Sequence, residues 1–320
     1  MKSLLWTVSV ITLFLTLLFV GVWTFSPSFF QEKRDIVSPI PSYLTLVDND
    51  QVRLLDFWRP LLKTFASEDE LEITGKSALV FDLASEKTLY EKDPTLRLPM
   101  ASLTKIMTAI VALENPKDDD LYKVSDSDLV GEDSMGVTAG EELTLEELLY
   151  GLMLPSGNDA AEVLASNFSG GRVAFIQAMS RKARALDLTD TNFTNPSGLQ
   201  GDGDQYTTAS DLLVITKYAL ENFPTFRKVV STFSQTLPGT NTHKPFYLEN
   251  ETNLLTSYPG VKGVKTGYTP EAGLCLVTYL EYKDHKIIGI LLNSSNRRQE
   301  MKEMLDYGLK QLGVTPPRHD

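Results

Sequence analysis

Apolar residues recur at helical spacing in the segment Ser102-Leu-Thr-Lys-Ile-Met-Thr-Ala-Ile-Val-Ala-Leu-Glu114. Five of them share one face of a helix with 3.6 residues per turn: Leu103, Ile106, Met107, Ile110 and Val111. The preceding residues, 77–82 and 87–90, alternate between apolar and polar as a β-hairpin does, with a turn at 84–86. The segment therefore marks the change from a β-rich beginning to a helical middle.

The rest of the chain is predicted to stay helical at first and then to return to strands. Further helices are predicted at residues 143–154, 160–167, 173–186 and 209–221. Strands return at 274–282 and 286–293, and a last helix is predicted at 297–312. Strands at both ends of a helical middle predict a single α+β domain over residues 71–320, whose antiparallel sheet is built from both chain ends, together with a helical subdomain.

The N-terminus is predicted to be a membrane anchor. No charged residue occurs from Ser3 to Gln31, and residues 4–25 are almost entirely apolar, which is long enough to span a bilayer core of about 30 Å. The first alanine is Ala66, so no Ala-x-Ala site for cleavage of a secretory signal occurs here, and Ser26-Pro-Ser28 is a poor substitute. We expect a transmembrane helix over 1–28, a spacer over 29–70 and the α+β domain on the outer side of the membrane, with a cleaved signal as the alternative.

Composition excludes several classes of function. The net charge of -12 argues against a nucleic-acid partner, which requires basic patches. The only cysteine, Cys275, lies in an apolar run, and we expect a buried, unreactive thiol. The three histidines have no zinc-like spacing to another ligand, so no metal and no cofactor is expected.

The first motif with chemical content is Ser102-Leu-Thr-Lys105 at the start of the predicted helix. Lys105 lies one turn from Ser102 on the same helix face, within reach of its hydroxyl. A lysine can act as a base only when burial or a second cation lowers its pKa, and Lys265 is the candidate second cation. The alternative is that Ser102 is only a helix cap and Lys105 a solvated lysine.

Two further motifs follow, Ser156-Gly-Asn158 and Lys265-Thr-Gly267. The Ser156 hydroxyl can relay a proton to a leaving amine, and the Asn158 amide can hold both a lysine and a substrate, unless it merely caps the helix starting at the next residue. A lysine and a hydroxyl on an edge strand suit a carboxylate, and a glycine allows a ligand close approach. Each motif alone is weak; in this order, with 54 and then 109 residues between lead positions, they are specific.

Four longer segments carry a resemblance to a known family: Met100-Ala-Ser-Leu-Thr-Lys-Ile-Met-Thr-Ala109, Leu154-Pro-Ser-Gly-Asn-Asp-Ala-Ala161, Asn195-Pro-Ser-Gly-Leu199 and Gly263-Val-Lys-Thr-Gly-Tyr-Thr269. From about residue 73 to 313 the chain resembles the low-molecular-weight penicillin-binding proteins that are serine-type D-alanyl-D-alanine carboxypeptidases. The resemblance implies a β-lactamase/transpeptidase-like domain that removes the terminal D-alanine from peptidoglycan stem pentapeptides, with β-lactams as covalent inhibitors.

The resemblance also assigns roles to residues. Ser102 would be the acylated nucleophile and Lys105 its base, and Ser156 and Asn158 would complete the proton relay. The substrate-binding strand would contribute Lys265 and Thr266, which bind the terminal carboxylate, and their neighbours Gly267 and Tyr268. The backbone N–H groups of Ser102 and Tyr268 would form the oxyanion hole.

Competing functions differ in what they require. A β-lactamase usually has Glu-x-x-Leu-Asn, which is absent between Asp159 and Lys262, and an aspartate where this chain has Gly157. A Ser-His-Asp hydrolase is disfavoured because no Gly-x-Ser-x-Gly occurs. A DD-endopeptidase or transpeptidase using the same site stays open. So does an inactive module that binds the cell wall, although the intact motif residues argue against it.

Overall fold

A five-stranded antiparallel sheet lies at the centre of the structure, a computed structural model that describes residue 60, residues 71–252 and residues 254–319. The described strands are β1 Ser77–Asp82, β2 Lys87–Lys92, β3 Tyr122–Lys123, β4 Glu142–Leu143, β5 Ser234–Leu237, β6 Phe246–Glu249, β7 Val261–Thr269, β8 Gly273–Tyr282 and β9 His285–Ser294. The central sheet has the order β2-β1-β9-β8-β7, so strands from both ends of the domain meet side by side in it.

Eight described helices surround the sheet or form the helical subdomain. They are α1 Thr104–Glu114, α2 Leu145–Met153, α3 Asn158–Ser166, α4 Gly171–Ala185, α5 Ala209–Asn222, α6 Pro224–Val230, α7 Leu254–Ser257 and α8 Arg297–Gln311. β3 pairs with β4 and β5 pairs with β6 in two small hairpin-like sheets outside the central one.

The sheet is covered on both faces, because alternate residues of its strands belong to two different cores. In β1, Leu79 and Phe81 pack into the larger core together with the helices that follow β2 in the chain. Their neighbours Ala78 and Val80 point to the opposite face, where they meet Met304 and other apolar residues of α8. Because both faces of the sheet are buried, all six residues of β1 are buried, and the simple apolar-polar alternation expected for this strand is not observed.

Most elements agree with those predicted from the periodicity. The first hairpin, the strands near residues 274–294 and the last helix are present, and the prediction of an antiparallel sheet with helices is confirmed. Helix α1 begins at Thr104, since residues 101–103 form a short 3-10 turn that presents Ser102 ahead of the helix. The prediction missed α6, which starts at Pro224 only two residues after α5 ends, a position where proline favours a new helix start.

Two sequence features outside the three motifs have structural roles. Cys275 is fully buried and burial raises the pKa of its thiol to about 11, so the prediction of an unreactive cysteine is confirmed. Ser294, the last residue of β9, donates a hydrogen bond to Glu300, which also accepts bonds from the backbone of Thr74 and Gly75. That carboxylate ties the segment before β1 to the end of β9.

The predicted anchor over 1–28 and spacer over 29–70 lie outside the described residues, apart from Pro60. Among the helices of the described ranges, none has the length and apolar character needed to cross a membrane.

Candidate active site

The nucleophile candidate and its neighbouring lysine lie at the junction between a 3-10 turn and α1. Lys105 Nζ is 2.9 Å from Ser102 Oγ, and the Lys105 side chain is fully buried. Ala101, just before the nucleophile, has a left-handed backbone with φ of 47°, which is costly for a residue with a side chain. The strained residue thus directly precedes Ser102, whose hydroxyl lies beside the Lys105 amine, and the interpretation of Lys105 as a solvated first-turn residue is wrong.

Lys105 is held from three directions. Besides Ser102 Oγ, its Nζ contacts Asn158 Oδ1 at 2.7 Å and the backbone oxygen of Ser197 at 2.8 Å. The last two partners can only accept hydrogen bonds. A neutral amine can satisfy both with its two hydrogens, and its lone pair then points to Ser102. The arrangement thus suits a lysine that accepts the serine proton.

The charge state of Lys105 supports the same chemistry. Burial, and secondly the charge of Lys265, lower the pKa of Lys105 well below its usual value. Both causes were the ones expected from the sequence. A lowered pKa increases the fraction of neutral amine at physiological pH, which is the form that can act as a base.

The second motif forms the loop between α2 and α3. Ser156 has a left-handed φ of 64°, and its buried hydroxyl has no hydrogen-bond partner in the part of the chain that the structure describes. Helix α3 begins at Asn158 with Gly157 as its N-cap, and no side chain caps it. The capping interpretation of Asn158 is therefore wrong, because its amide oxygen binds Lys105 instead.

A neighbouring carboxylate fixes this loop against the segment before it. Asp159 is buried and accepts hydrogen bonds from the backbone N–H groups of Met135 and Gly136 and from the Ser134 hydroxyl. The Asn158 N–H in turn donates to the Asp133 carbonyl at 2.8 Å. The position of the Asn158 amide thus depends on residues some 25 positions earlier in the chain.

The third motif lies on β7, at the edge of the central sheet. Lys265 is buried, and burial lowers its pKa to about 8, to which the Arg297 charge contributes while Glu251 opposes it. The Thr266 hydroxyl donates to Glu251 Oε2 at 3.0 Å. Lys262 on the same strand is exposed, in contrast to Lys265. Lys265 and Thr266 therefore form a cationic, hydrogen-bonding pair that can hold an anion.

Gly267 allows β7 to approach the nucleophile. A Cβ at this position would lie 3.1 Å from the Met100 carbonyl and 3.2 Å from the Ser102 nitrogen, which is tighter than ordinary side-chain contact. The next residue, Tyr268, has an exposed side chain. The close approach brings the backbone N–H of Ser102 near the strand that carries Tyr268, as an oxyanion hole built from both would require.

Three residues at this site were not found from the sequence. The Ser197 carbonyl binds Lys105, whereas the sequence segment around Ser197 indicated only the family resemblance and no role in the site. Arg297 donates from Nη1 to the Gly267 carbonyl at 2.8 Å, and Glu251 contacts Thr266. A backbone acceptor leaves no trace in residue type, while Arg297 and Glu251 looked like ordinary surface charges in sequence.

Comparison with known proteins identifies what this arrangement is similar to. A family model described as D-alanyl-D-alanine carboxypeptidase, peptidase S11, matches residues 63–296. The D-alanyl-D-alanine carboxypeptidase DacF of Bacillus subtilis is 36% identical over 267 residues, which cover 79% of this chain and 68% of that protein.

Two solved structures are similar over nearly the whole described domain. The crystal structure of the Streptomyces K15 DD-transpeptidase matches with a TM-score of 0.71 and 33% identity, covering 76% of this chain and 99% of that one. Penicillin-binding protein D2 from Listeria monocytogenes, in its ampicillin-bound form, matches with a TM-score of 0.65 and 27% identity, covering 76% of this chain and 100% of that one.

Proposed function

The chain belongs to the D-alanyl-D-alanine carboxypeptidase family of serine peptidases, and on that premise we propose how its residues carry out the reaction. It is a serine-type hydrolase that removes the terminal D-alanine of peptidoglycan stem peptides. The observation that supports this proposal most directly is the buried Lys105, whose pKa is lowered by burial and by the charge of Lys265 and whose Nζ is 2.9 Å from Ser102 Oγ.

In the acylation step, Ser102 Oγ attacks the carbonyl carbon of the penultimate D-alanine, and neutral Lys105 takes the hydroxyl proton. The backbone N–H groups of Ser102 and Tyr268 stabilise the oxyanion, each by about 3 kcal/mol. The peptide C–N bond then breaks, and the proton passes from Lys105 through the Ser156 hydroxyl to the amine of the departing D-alanine. The Ser156 hydroxyl is buried and has no hydrogen-bond partner among the described residues, which leaves it available for this relay.

In the deacylation step, a water molecule attacks the ester that links Ser102 to the shortened peptide. Lys105 accepts a proton from the water and returns one to Ser102 Oγ as the ester bond breaks, so the enzyme is restored. Lys265 and Thr266 bind the terminal carboxylate of the substrate during acylation, and Asn158 holds Lys105 in place. A β-lactam would acylate the same serine, which is supported by the similarity to a protein solved with ampicillin bound.

A direct assay tests this function. The protein is incubated with a wall pentapeptide, and released D-alanine is measured with and without Ser102→Ala; a fluorescent penicillin reports acylation in parallel. We expect release and labelling to be lost together in Ser102→Ala. Labelling that survives this substitution would disprove the assignment of the nucleophile, and an unlabelled, inactive wild type would favour a binding module.

Transpeptidation is the second candidate, favoured by the similarity to the Streptomyces K15 DD-transpeptidase. In that reaction an amine, not water, attacks the acyl-enzyme. Adding a peptide with a free amino group to the pentapeptide assay separates the two outcomes. Hydrolysis releases one D-alanine for each tetrapeptide formed, whereas transfer gives a joined peptide in place of the tetrapeptide.

We further propose that the enzyme is anchored in the cytoplasmic membrane by its N-terminal segment. The uncharged segment from Ser3 to Gln31 supports an anchor over 1–28, followed by a spacer over 29–70 and an extracytoplasmic catalytic domain over 71–320. The full-length protein should stay with membranes through a high-salt wash, and a shortened protein that begins at Glu68 should be soluble and active. A mature form without the first ~25 residues would instead indicate a cleaved signal.

A further inference from the structure

A carboxylate of the protein itself, that of Glu251, already contacts Lys265 and Thr266, the two side chains assigned to the substrate's terminal carboxylate. Glu251 Oε2 accepts a hydrogen bond from the Thr266 hydroxyl at 3.0 Å and lies 4.0 Å from Lys265 Nζ. The Lys265 side chain is only 1% exposed, whereas that of Glu251 is 41% exposed. The acidic group therefore approaches the buried ammonium from the solvent side, which is also the side from which a peptide must enter.

The main chain at Glu251 is fixed, although its side chain is half exposed. Its backbone N–H donates to the Leu154 carbonyl at 3.2 Å. The preceding Asn250 is buried, and its side-chain amide donates to the Val230 and Thr232 carbonyls while its oxygen accepts from the Thr252 N–H. The carboxylate can thus turn out into solvent by side-chain rotation, without disturbing the loop that carries it.

A substrate carboxylate and Glu251 cannot share this position. Two like charges in contact with one ammonium repel each other, and Thr266 has a single hydroxyl proton to donate. Without an anion at this position, however, the buried Lys265 would lose its charge more easily. Burial lowers its pKa to about 8, and the Glu251 charge opposes this change more than the Asp133 charge does, while the Arg297 charge lowers the pKa further. The free enzyme consequently needs an anion at the place that the substrate later takes.

We propose that Glu251 is a specificity-determining residue: it serves as the resident counter-ion of Lys265, accepts the Thr266 hydrogen bond, and is displaced by the substrate's terminal carboxylate. This inference rests on the proposed function, in which these two residues bind that carboxylate. Glu251 lowers the affinity for free-ended peptides by competing with them, and it keeps the site charged between turnovers. A peptide with an amidated end does not compete for the anion position.

Glu251 is thus expected to compete with the peptide and to keep Lys265 charged. Measurements of Glu251→Gln at different pH values separate these two effects. At pH 6, where Lys265 is charged in both proteins, we expect the KM for a free-ended pentapeptide to fall about three- to fivefold with little change in kcat. The alkaline limb of kcat/KM should move to lower pH by roughly half a unit or more, since Lys265 loses its neighbouring negative charge. The KM for the C-terminally amidated pentapeptide should stay the same.

Glu249→Gln is the matched control, because this exposed glutamate lies two residues away on β6 and changes the net charge equally. It should leave both KM and the alkaline limb unchanged. Glu251→Asp keeps the charge on a shorter side chain and should restore the alkaline limb in part. This conservative variant also shows whether any loss in Glu251→Gln comes from folding, which circular dichroism checks for all three proteins.

The same variants are measured by the acylation rate with benzylpenicillin, which also has a carboxylate. If the wild type is acylated but releases no D-alanine, the proposed function fails while the role of Glu251 is still tested. The inference is overturned if Glu251→Gln leaves KM and the alkaline limb where Glu249→Gln leaves them. It is also overturned if KM for the free-ended peptide rises at pH 6, which would mean that Glu251 binds the peptide instead of competing with it.

Discussion

The substitution Gly198→Ala should strongly reduce acylation of Ser102, although it replaces no residue of the three motifs. Gly198 has a left-handed φ of 91°, and a Cβ there would lie 2.0 Å from the Ala101 carbonyl oxygen and 3.0 Å from the Ser102 nitrogen. No stable structure tolerates the first of these contacts. Either the loop that carries Ser197 or the turn that carries Ser102 must move away, and both belong to the contact that holds Lys105.

The size of the effect follows from these distances. Even the closest approach that real Cβ atoms make, 3.0 Å, requires a displacement of about 1 Å, and misplacement of that size typically costs about 100-fold in rate. The left-handed backbone adds a stability cost of about 1–2 kcal/mol for any residue with a Cβ. We therefore expect kcat/KM for D-alanine release and the penicillin acylation rate to fall about 100-fold, with a loss of a few degrees in Tm.

Gly201→Ala is the control for backbone strain alone. Gly201 also has a left-handed φ, of 112°, but a Cβ there would meet no atom within 4 Å. It should lose a similar amount of stability and keep its acylation rate. Measuring both rates and thermal unfolding for the two variants decides the point. Acylation of Gly198→Ala at the wild-type rate, or an equal loss of rate in both variants, would refute the role given to the close approach at Ala101.

Three further predictions concern charge. The kcat/KM for a free-ended pentapeptide should rise with pH as Lys105 loses its proton, because burial and Lys265 lower the pKa of Lys105. It should fall again near pH 8 as Lys265 loses its charge. A rate profile that stays flat between pH 7 and 10 would contradict this. Lys265→Gln should reduce turnover of the free-ended peptide by about 2–5 kcal/mol of transition-state binding, and much less for the amidated peptide; equal losses would mean that Lys265 acts only by tuning Lys105. Burial alone would raise the pKa of Glu300, but hydrogen bonds from Thr74 and Ser294 lower it, so the stability from this carboxylate is present at neutral pH and lost as the pH falls through its lowered value. Glu300→Gln should therefore lower Tm by about 4–8 °C at pH 7 and by less below about pH 4. The control Glu303→Gln, on the same helix, should change Tm little at either pH. Thermal denaturation of both variants measures these changes.

Local order in this protein could be predicted from the sequence because its determinants are close together in the chain. The stripe of Leu103, Ile106 and Ile110 follows from one helix turn after another, and the first hairpin follows from alternation over a few residues. Lys105 could be placed beside Ser102 for the same reason, since a separation of three residues on a helix leaves little freedom. The three motifs and their order supplied the candidate site residues, together with the family.

The contacts that make the site reactive were decided only by the tertiary structure. Lys105 is deprived of solvent and held by Asn158 and by the Ser197 carbonyl, which are 53 and 92 positions away in the chain. The effect of Lys265 on its pKa and the position of Glu251 over Thr266 depend on how β7 packs beside the turn at Ser102. Charge and burial act through distance in space, and residue type alone does not reveal whether an acidic side chain such as Glu251 lies in solvent or 4.0 Å from a buried ammonium.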